Sequence, residues 1–428
     1  MPIYHTLGQV PRKRHTAMRK PGGGIYSEQL VGHEGFTGTS ALLYHVHPPT
    51  TITRVRKLAD VRWEAQDDDT LKHRHWRTAR LPAGGSPTLG RTPMLFNADI
   101  AMSHVAPDAR DAHFYRNAQA DEVVYVAKGS GVLESQFGEL PYGEGDYVVV
   151  HRGILHRWRL DGGVRHKFLV MESRGHVRWP KRYRNEFGQL VEGAPYSERD
   201  IRRPQHLVTH DEMGEFPILV KQYDALTEVV LDHHPMDVVG WDGHFYPWAF
   251  NIRDFEPIVG RVHQPPPVHQ TFQGDGFVIC SFCPRPYDFG ENAVPAPYNH
   301  SNVDSDEVLF YASEEFMSRK GIEFGSVTHH PDGIPHGPHP GRYEASIGQT
   351  WTDELAVMMD SFRPLKVAKA FAPAEDPAYH RSWVEAQHAL VAAPGGRPNG
   401  NGAATPYGAE HDDAPAGAPP HAQPTTAH

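Results

Sequence analysis

Two imidazoles and a carboxylate recur within a short span of this 428-residue chain. In "PYNHSNVDSDEVLFYASEEF" (Pro297 to Phe316), His300 precedes Asp304, Asp306 and Glu307, and an apolar run follows. Downstream, "HHPDGIPHGPHPG" sets His336 among turn-forming residues. Two neutral nitrogens and one anionic oxygen on one face of an octahedron leave the remaining positions open, the donor set of non-haem ferrous oxygenases. Glu307 is the preferred carboxylate, because its longer arm reaches from a strand wall into a barrel. Asp306 stays in play as the alternative. Proline on both sides of the turn would fix the approach of His336 at low entropic cost. Taken alone, the same residues could be surface groups of a Gly/Pro-rich loop.

An internal repeat adds what that spacing lacks. "FYRNAQADEVVYVA" (Phe114 to Ala127) lies over "NHSNVDSDEVLFYA" (Asn299 to Ala312) without a gap, matching Asn117 with Asn302 and Asp121-Glu122 with Asp306-Glu307. Each copy is followed by Gly-Ile-x-His, ending at His156 and at His336. Two β units, each with an acid at a strand start and a histidine on a later strand, suggest a duplicated cupin. His300 aligns with Tyr115, whose phenol rarely deprotonates to bind divalent iron. The second unit is therefore expected to hold the metal and the first to be structural. His113 shares a strand face with Tyr115, which leaves a competing placement at His113, Glu122 and His156 in the first unit.

The elements that must position these groups read as strands. Runs such as "DEVVYVAKGSGVLESQ", "GDYVVVHRG", "HKFLVMES" and "GFVICSFC" are rich in β-formers and punctuated by Gly, Pro and Asp. The expected fold is all-β, a duplicated cupin or jelly roll (bicupin), with helical periodicity only in "LKVAKAF" and "PAYHRSWVEAQHALV". The expected divisions are an N-terminal metal-free unit over 1–235, a metal-bearing unit over 236–393, and a disordered Pro/Gly/Ala tail over 394–428.

Composition excludes other classes. A net charge of -10 argues against general nucleic-acid affinity. The basic run "RGHVRWPKRYRN" is the local exception, read as an intersubunit or solvated loop before an RNA contact. No apolar stretch is long enough for a membrane span, and no h-region follows the basic N-terminus, so a cytoplasmic protein is expected. Cys280 and Cys283 in "CSFC" lack a second pair and read as buried strand thiols rather than a redox or zinc pair. The 30 histidines raise the expectation of metal chemistry without locating it.

The residues resemble one family, homogentisate 1,2-dioxygenase. The resemblance rests on "PRKRHTAMRKPGGGIYSEQLVGHEGFTGTSALLYHVHPPT", "PKRYRNEFGQLVEGAPYSERDIR", "PYNHSN…DE…PHGPHPG" and "AYHRSWVEAQHAL", and it covers Met1 to about Leu390. It implies ring opening of homogentisate by O₂ to maleylacetoacetate in tyrosine and phenylalanine catabolism. By resemblance His300, Glu307 and His336 match Fe(2+) ligands, His263 a proton acceptor, His330 a pocket histidine, and Tyr298 a pocket-lining position, with His336 also meeting substrate. Trimers pairing into hexamers are implied as well. The His300-to-Glu307 spacing is one residue longer than in the animal enzymes. Phe316 stands where the family has a substrate-binding tyrosine, so its hydroxyl is missing or supplied elsewhere, for example by Tyr311. Gentisate, hydroquinone or another para-dihydroxy aromatic therefore stays open as the substrate. A metal-binding cupin without O₂ chemistry is the reading from a different class.

Overall fold

The computed structural model describes residues 3–392, so the expected tail over 394–428 lies outside the described residues. Within them the chain is built from sheets that are antiparallel except where Phe114–Asn117 pairs in parallel with Met213–Gln222, with α-helix only at Arg342–Ser346 and Ser382–Ala392. The bicupin expectation holds. Two seven-stranded sheets form the first unit, and Asp121–Lys128 runs through the middle of one of them, between Asp146–Val150 and Lys167–Ser173. The second unit centres on a six-stranded sheet, ordered Gln270–Gly274, Phe277–Phe282, Ala356–Ser361, Asp306–Tyr311, Ser326–His330 and Arg74–Arg77.

The units exchange strands. Arg74–Arg77, early in the chain, closes the edge of the second unit's sheet against Ser326–His330. Lys366–Val367 returns to pair with Thr92–Phe96 in the first. "LKVAKAF" is therefore not a helix: Leu365 donates its amide to Asp306, and Val367 is buried as an edge-strand residue. Its helical spacing is overridden by that pairing, because a short segment gains more from capping an open sheet edge than from local propensity. Val238–Gly243 and Trp248–Asn251 also pair with strands of the first unit. One apolar cluster runs through both units and includes Val123, Tyr125, Val308 and Phe310. At the junction Tyr147 Oη lies 2.8 Å from Ser281 Oγ.

The repeat survives as geometry. Tyr115 is the cross-strand partner of His156, and His300 is the bridge partner of His336. The glycines of the two Gly-Ile-x-His elements, Gly153 and Gly333, both have φ near +85°, at +86° and +83°. Only a residue without Cβ enters that turn cheaply.

The two copies differ in what faces the glutamate they share. In the first unit the Arg91 guanidinium clamps Glu122 at 2.9 and 2.8 Å, and Asn117 Nδ2 donates to the same carboxylate at 2.8 Å. Arg91 also lies over the Tyr115 ring, 5.9 Å from its centroid. A fixed side-chain cation thus neutralises the carboxylate here. His113 is engaged with Thr88 Oγ1 at 3.2 Å, and His113, Glu122 and His156 do not converge as a metal-binding group. Burial pushes the Glu122 carboxyl up, but Arg91 and the hydrogen bonds outweigh it and hold the group at about 2.

Two outcomes follow for this pair. Glu122→Gln leaves the buried Arg91 with only the longer contact to Glu172, at 3.5 Å, and should cost about 1–3 kcal/mol in urea unfolding, whereas an apolar double replacement of Arg91 and Glu122 should recover most of it. Because the folded carboxyl titrates below its ordinary 4.5, its stabilisation is complete above that value and fades as pH falls toward about 2. Acid titrations of Glu122→Gln should accordingly lose this part of the pH dependence.

Candidate metal centre and cavity

Glu307 sits at the start of a central strand, so its side chain has neighbours on both flanks. His330 is its partner on one side and Asp360 on the other. His300 and His336 come from loops, stitched together by reciprocal backbone hydrogen bonds of 2.8 and 2.9 Å. Their rings lie 4.2 Å apart. Gly337 permits that approach, since a Cβ there would fall 2.0 Å from Asn299 Oδ1. The result places one donor atom from each of His300, Glu307 and His336 within 4.8 Å of the others.

The proton positions follow from the partners. His300 Nδ1 is 3.1 Å from the Tyr298 carbonyl, which can only accept, so Nδ1 carries the proton and Nε2 faces Glu307 Oε2 at 3.8 Å. His330 Nδ1 donates to Glu307 Oε1 at 2.7 Å. His336 Nε2 lies 3.4 Å from the same oxygen, yet neither of its buried ring nitrogens has a hydrogen-bond partner. An unpartnered buried imidazole beside an anion is costly in protein alone and fits a divalent ion. Burial pushes the Glu307 carboxyl up, but His300, His330 and His336 outweigh it and keep it well below the ordinary range. Burial and then the Arg319 charge push His330 well down, so it stays neutral. The donors are two imidazoles and one carboxylate, a set that suits a borderline ion such as divalent iron; Glu307 raises the His300 pKa, so an ion binding there displaces a proton that the carboxylate favours.

Asp306 points to the opposite face, as alternation along a strand requires. It accepts from His329 Nε2 at 3.0 Å and from the amides of Asp332 and Leu365 at 3.0 and 2.7 Å. With those acceptor sites filled, it ties the loops to the strand.

A cavity of about 110 Å³ opens beside the triad, lined by His263, His300, Glu307, Phe316, Arg319 and Met358 among others. It is somewhat smaller than the roughly 150 Å³ engineered void that takes up benzene. His263 is on its wall, half-exposed, with Nδ1 3.7 Å from Asp288 Oδ2. Tyr298 lies outside the wall, exposed, with its ring edge-on to His263 at 5.3 Å. His330 stands behind Glu307 rather than on the wall.

Phe316 is buried against Phe282 and Tyr311. Tyr311 does not replace the missing hydroxyl: its Oη is 3.0 Å from Thr328 Oγ1, and it does not line the cavity. In the basic run Arg174 and Arg178 pair with Asp224 and Asp275 of this chain, while Lys181 and Arg182 are exposed. Both cysteines are buried and free, and burial pushes the Cys283 thiol up to about 11.

Sequence reasoning missed Arg319, which "MSRKGIEFG" presents as one more loop cation. It is 4% exposed. Nη1 donates to the Gly337 carbonyl at 2.8 Å, and the guanidinium lies 5.7 Å from the Trp383 ring centroid. Its Nε has no partner, and no carboxylate pairs with it among the described residues. The other arginine of the wall, Arg285, is neutralised by Glu354 at 2.7 Å. Asp360 was missed too; burial, then Glu307, pushes its carboxyl well up. Only strand pairing sets it beside Glu307.

Comparison with known proteins gives a consistent answer. Residues 7–252 match the family model described as homogentisate 1,2-dioxygenase N-terminal. A candidate dioxygenase of Saccharolobus solfataricus is 40% identical over 90% of this chain and 99% of its own length. The homogentisate 1,2-dioxygenase of Bradyrhizobium diazoefficiens is 25% identical over 84% of this chain and 86% of its own. That of Emericella nidulans is 23% identical over 78% and 79%.

The two adjacent acids should separate cleanly on mutation. Glu307→Gln should lower bound metal at least tenfold by elemental analysis and leave unfolding cooperative. Asp306→Asn should keep the metal and lose about 1–3 kcal/mol in urea titrations, the cost of the unsatisfied loop amides.

Proposed function

We propose, on the premise that this chain belongs to the homogentisate 1,2-dioxygenase family of ring-cleaving dioxygenases, that it opens homogentisate with O₂ to maleylacetoacetate. In this reading His300, Glu307 and His336 hold Fe(2+). The observation that carries it is the convergence of that triad beside a cavity whose wall includes an arginine with no carboxylate partner among the described residues. Ferrous iron, when bound, supplies Lewis-acid activation of a phenol and a site for O₂.

The chain's own residues do the rest. His263 faces the cavity and accepts a phenolic proton, work an imidazole performs in both directions near neutral pH. Asp288, 3.7 Å behind it, stabilises the ring once it is charged. His330 donates to Glu307 and holds the carboxylate's aim. Phe316, Leu309 and Met358 exclude water from the ring. Arg319 receives the acetate carboxylate, because its buried charge gains most from an anion brought by the substrate. Catabolism of tyrosine and phenylalanine in the cytoplasm, by a trimer or hexamer, belongs to the same proposal.

Phe316 favours a second reading with the same reaction on another para-dihydroxy aromatic, since a hydroxyl contact to substrate is lost there. O₂ uptake with homogentisate, gentisate and hydroquinone decides between them: faster turnover of either alternative would overturn homogentisate as substrate. His300→Ala should lose iron and turnover together. His263→Ala should keep its iron and lose turnover by about 10²-fold or more. Arg319→Met should raise KM for homogentisate tenfold or more and leave hydroquinone kinetics, where no carboxylate is present, within twofold.

A further inference from the structure

A second imidazole cluster lies in the first unit, and none of its residues lines the cavity beside Glu307. It is built on Asp121, the repeat counterpart of Asp306. Asp121 Oδ2 accepts from His151 Nδ1 at 2.9 Å, from His176 Nδ1 at 3.0 Å and from the Val177 amide at 3.0 Å. Oδ1 accepts from the Arg152 amide at 2.8 Å. The carboxylate thereby fixes both rings with Nδ1–H toward itself and Nε2 turned away. This is the arrangement that commonly stands behind metal-bound histidines.

The outward nitrogens are not equivalent. His151 Nε2 accepts from Trp248 Nε1 at 3.2 Å and is satisfied. His176 Nε2 makes no hydrogen bond to the described residues. His33, from the loop after Ser27–Gly32, brings its ring to 3.9 Å from that of His176 and 5.6 Å from that of His151. Its Nε2 is buried without a partner. One donor atom each from His33, Asp121, His151 and His176 lies within 4.8 Å of the others. Three rings crowded around one carboxylate would repel one another if charged. Burial, then His176 and His151, pushes His33 down to about 3, and burial holds His151 at about 4.

We propose that His33 and His176 bind a second divalent transition-metal ion through Nε2, with Asp121 orienting His176 and water completing the coordination. Imidazole donors without a direct carboxylate select the zinc, cobalt and nickel class over calcium or magnesium. The ion staples the loop carrying His33 to the segment after Lys167–Ser173. It serves the scaffold and is independent of the reaction assigned above.

The test is Co²⁺ titration of full-length Glu307→Gln/His336→Ala/His234→Ala protein. Those changes remove the triad and the exposed His210–Glu212–His234 group, which also gathers ligand atoms. The expected result is one Co²⁺ per chain with visible d–d bands and a raised melting temperature. His33→Asn or His176→Gln added to that background should weaken binding at least tenfold and abolish the shift. No Co²⁺ uptake by the background protein, or uptake unchanged by both added substitutions, would overturn the site. Should either variant fail to fold, diethyl pyrocarbonate modification of the background protein reads the same site. Co²⁺ must then slow modification of His33 and His176, and equal rates would reject it.

Discussion

The second unit is organised around one ionised carboxylate kept out of water. Glu307 is buried in the middle of a sheet, and burial alone would protonate it. Three imidazoles hold it charged, and two devices bring them in. His330 arrives by strand pairing, while His300 and His336 arrive by a bridge between loops. Loss of any device leaves an anion in a low-dielectric interior. The architecture around it can therefore be read as the means of surrounding one charge.

The first unit meets the same constraint with a side chain. Glu122 occupies the corresponding strand position, and Arg91 reaches it with both terminal nitrogens. A guanidinium is permanently charged, needs no ligand from solution and leaves no open coordination position. Tyr115 stands where the second unit has His300, and its ring packs under that cation instead of supplying a donor. One duplicated scaffold thus supports an ion pair in one copy and a convergent set of metal-ligand side chains in the other.

Adjacent acids divide the labour in both copies. Because neighbouring strand residues face opposite ways, Asp121 and Asp306 turn outward to gather loop amides and histidines, while Glu122 and Glu307 turn inward. The outward aspartate explains how loops rich in Gly and Pro hold a defined shape. In the second unit it pins Asp332 and Leu365 around the site. In the first it gathers the histidine cluster at His151 and His176.

The sequence by itself determined the repeat, the β class and the side chains of the triad, because these are local: strand alternation, turn residues and donor chemistry are written in short windows. Even the inward choice of Glu307 over Asp306 was legible from its counterpart Glu122. The partners of each charge were decided by tertiary structure alone. Arg91 and Glu122 belong to different strands and loops, and although Arg319 directly follows Phe316, Met317 and Ser318 of the cavity wall, no local pattern announces which cation is left without an acid. The same holds for "LKVAKAF", whose spacing suits a helix until a distant sheet edge claims it, and for Tyr311, whose hydroxyl is taken by Thr328. Pairing of buried charges and capping of sheet edges are long-range requirements. They are met only when the whole chain closes.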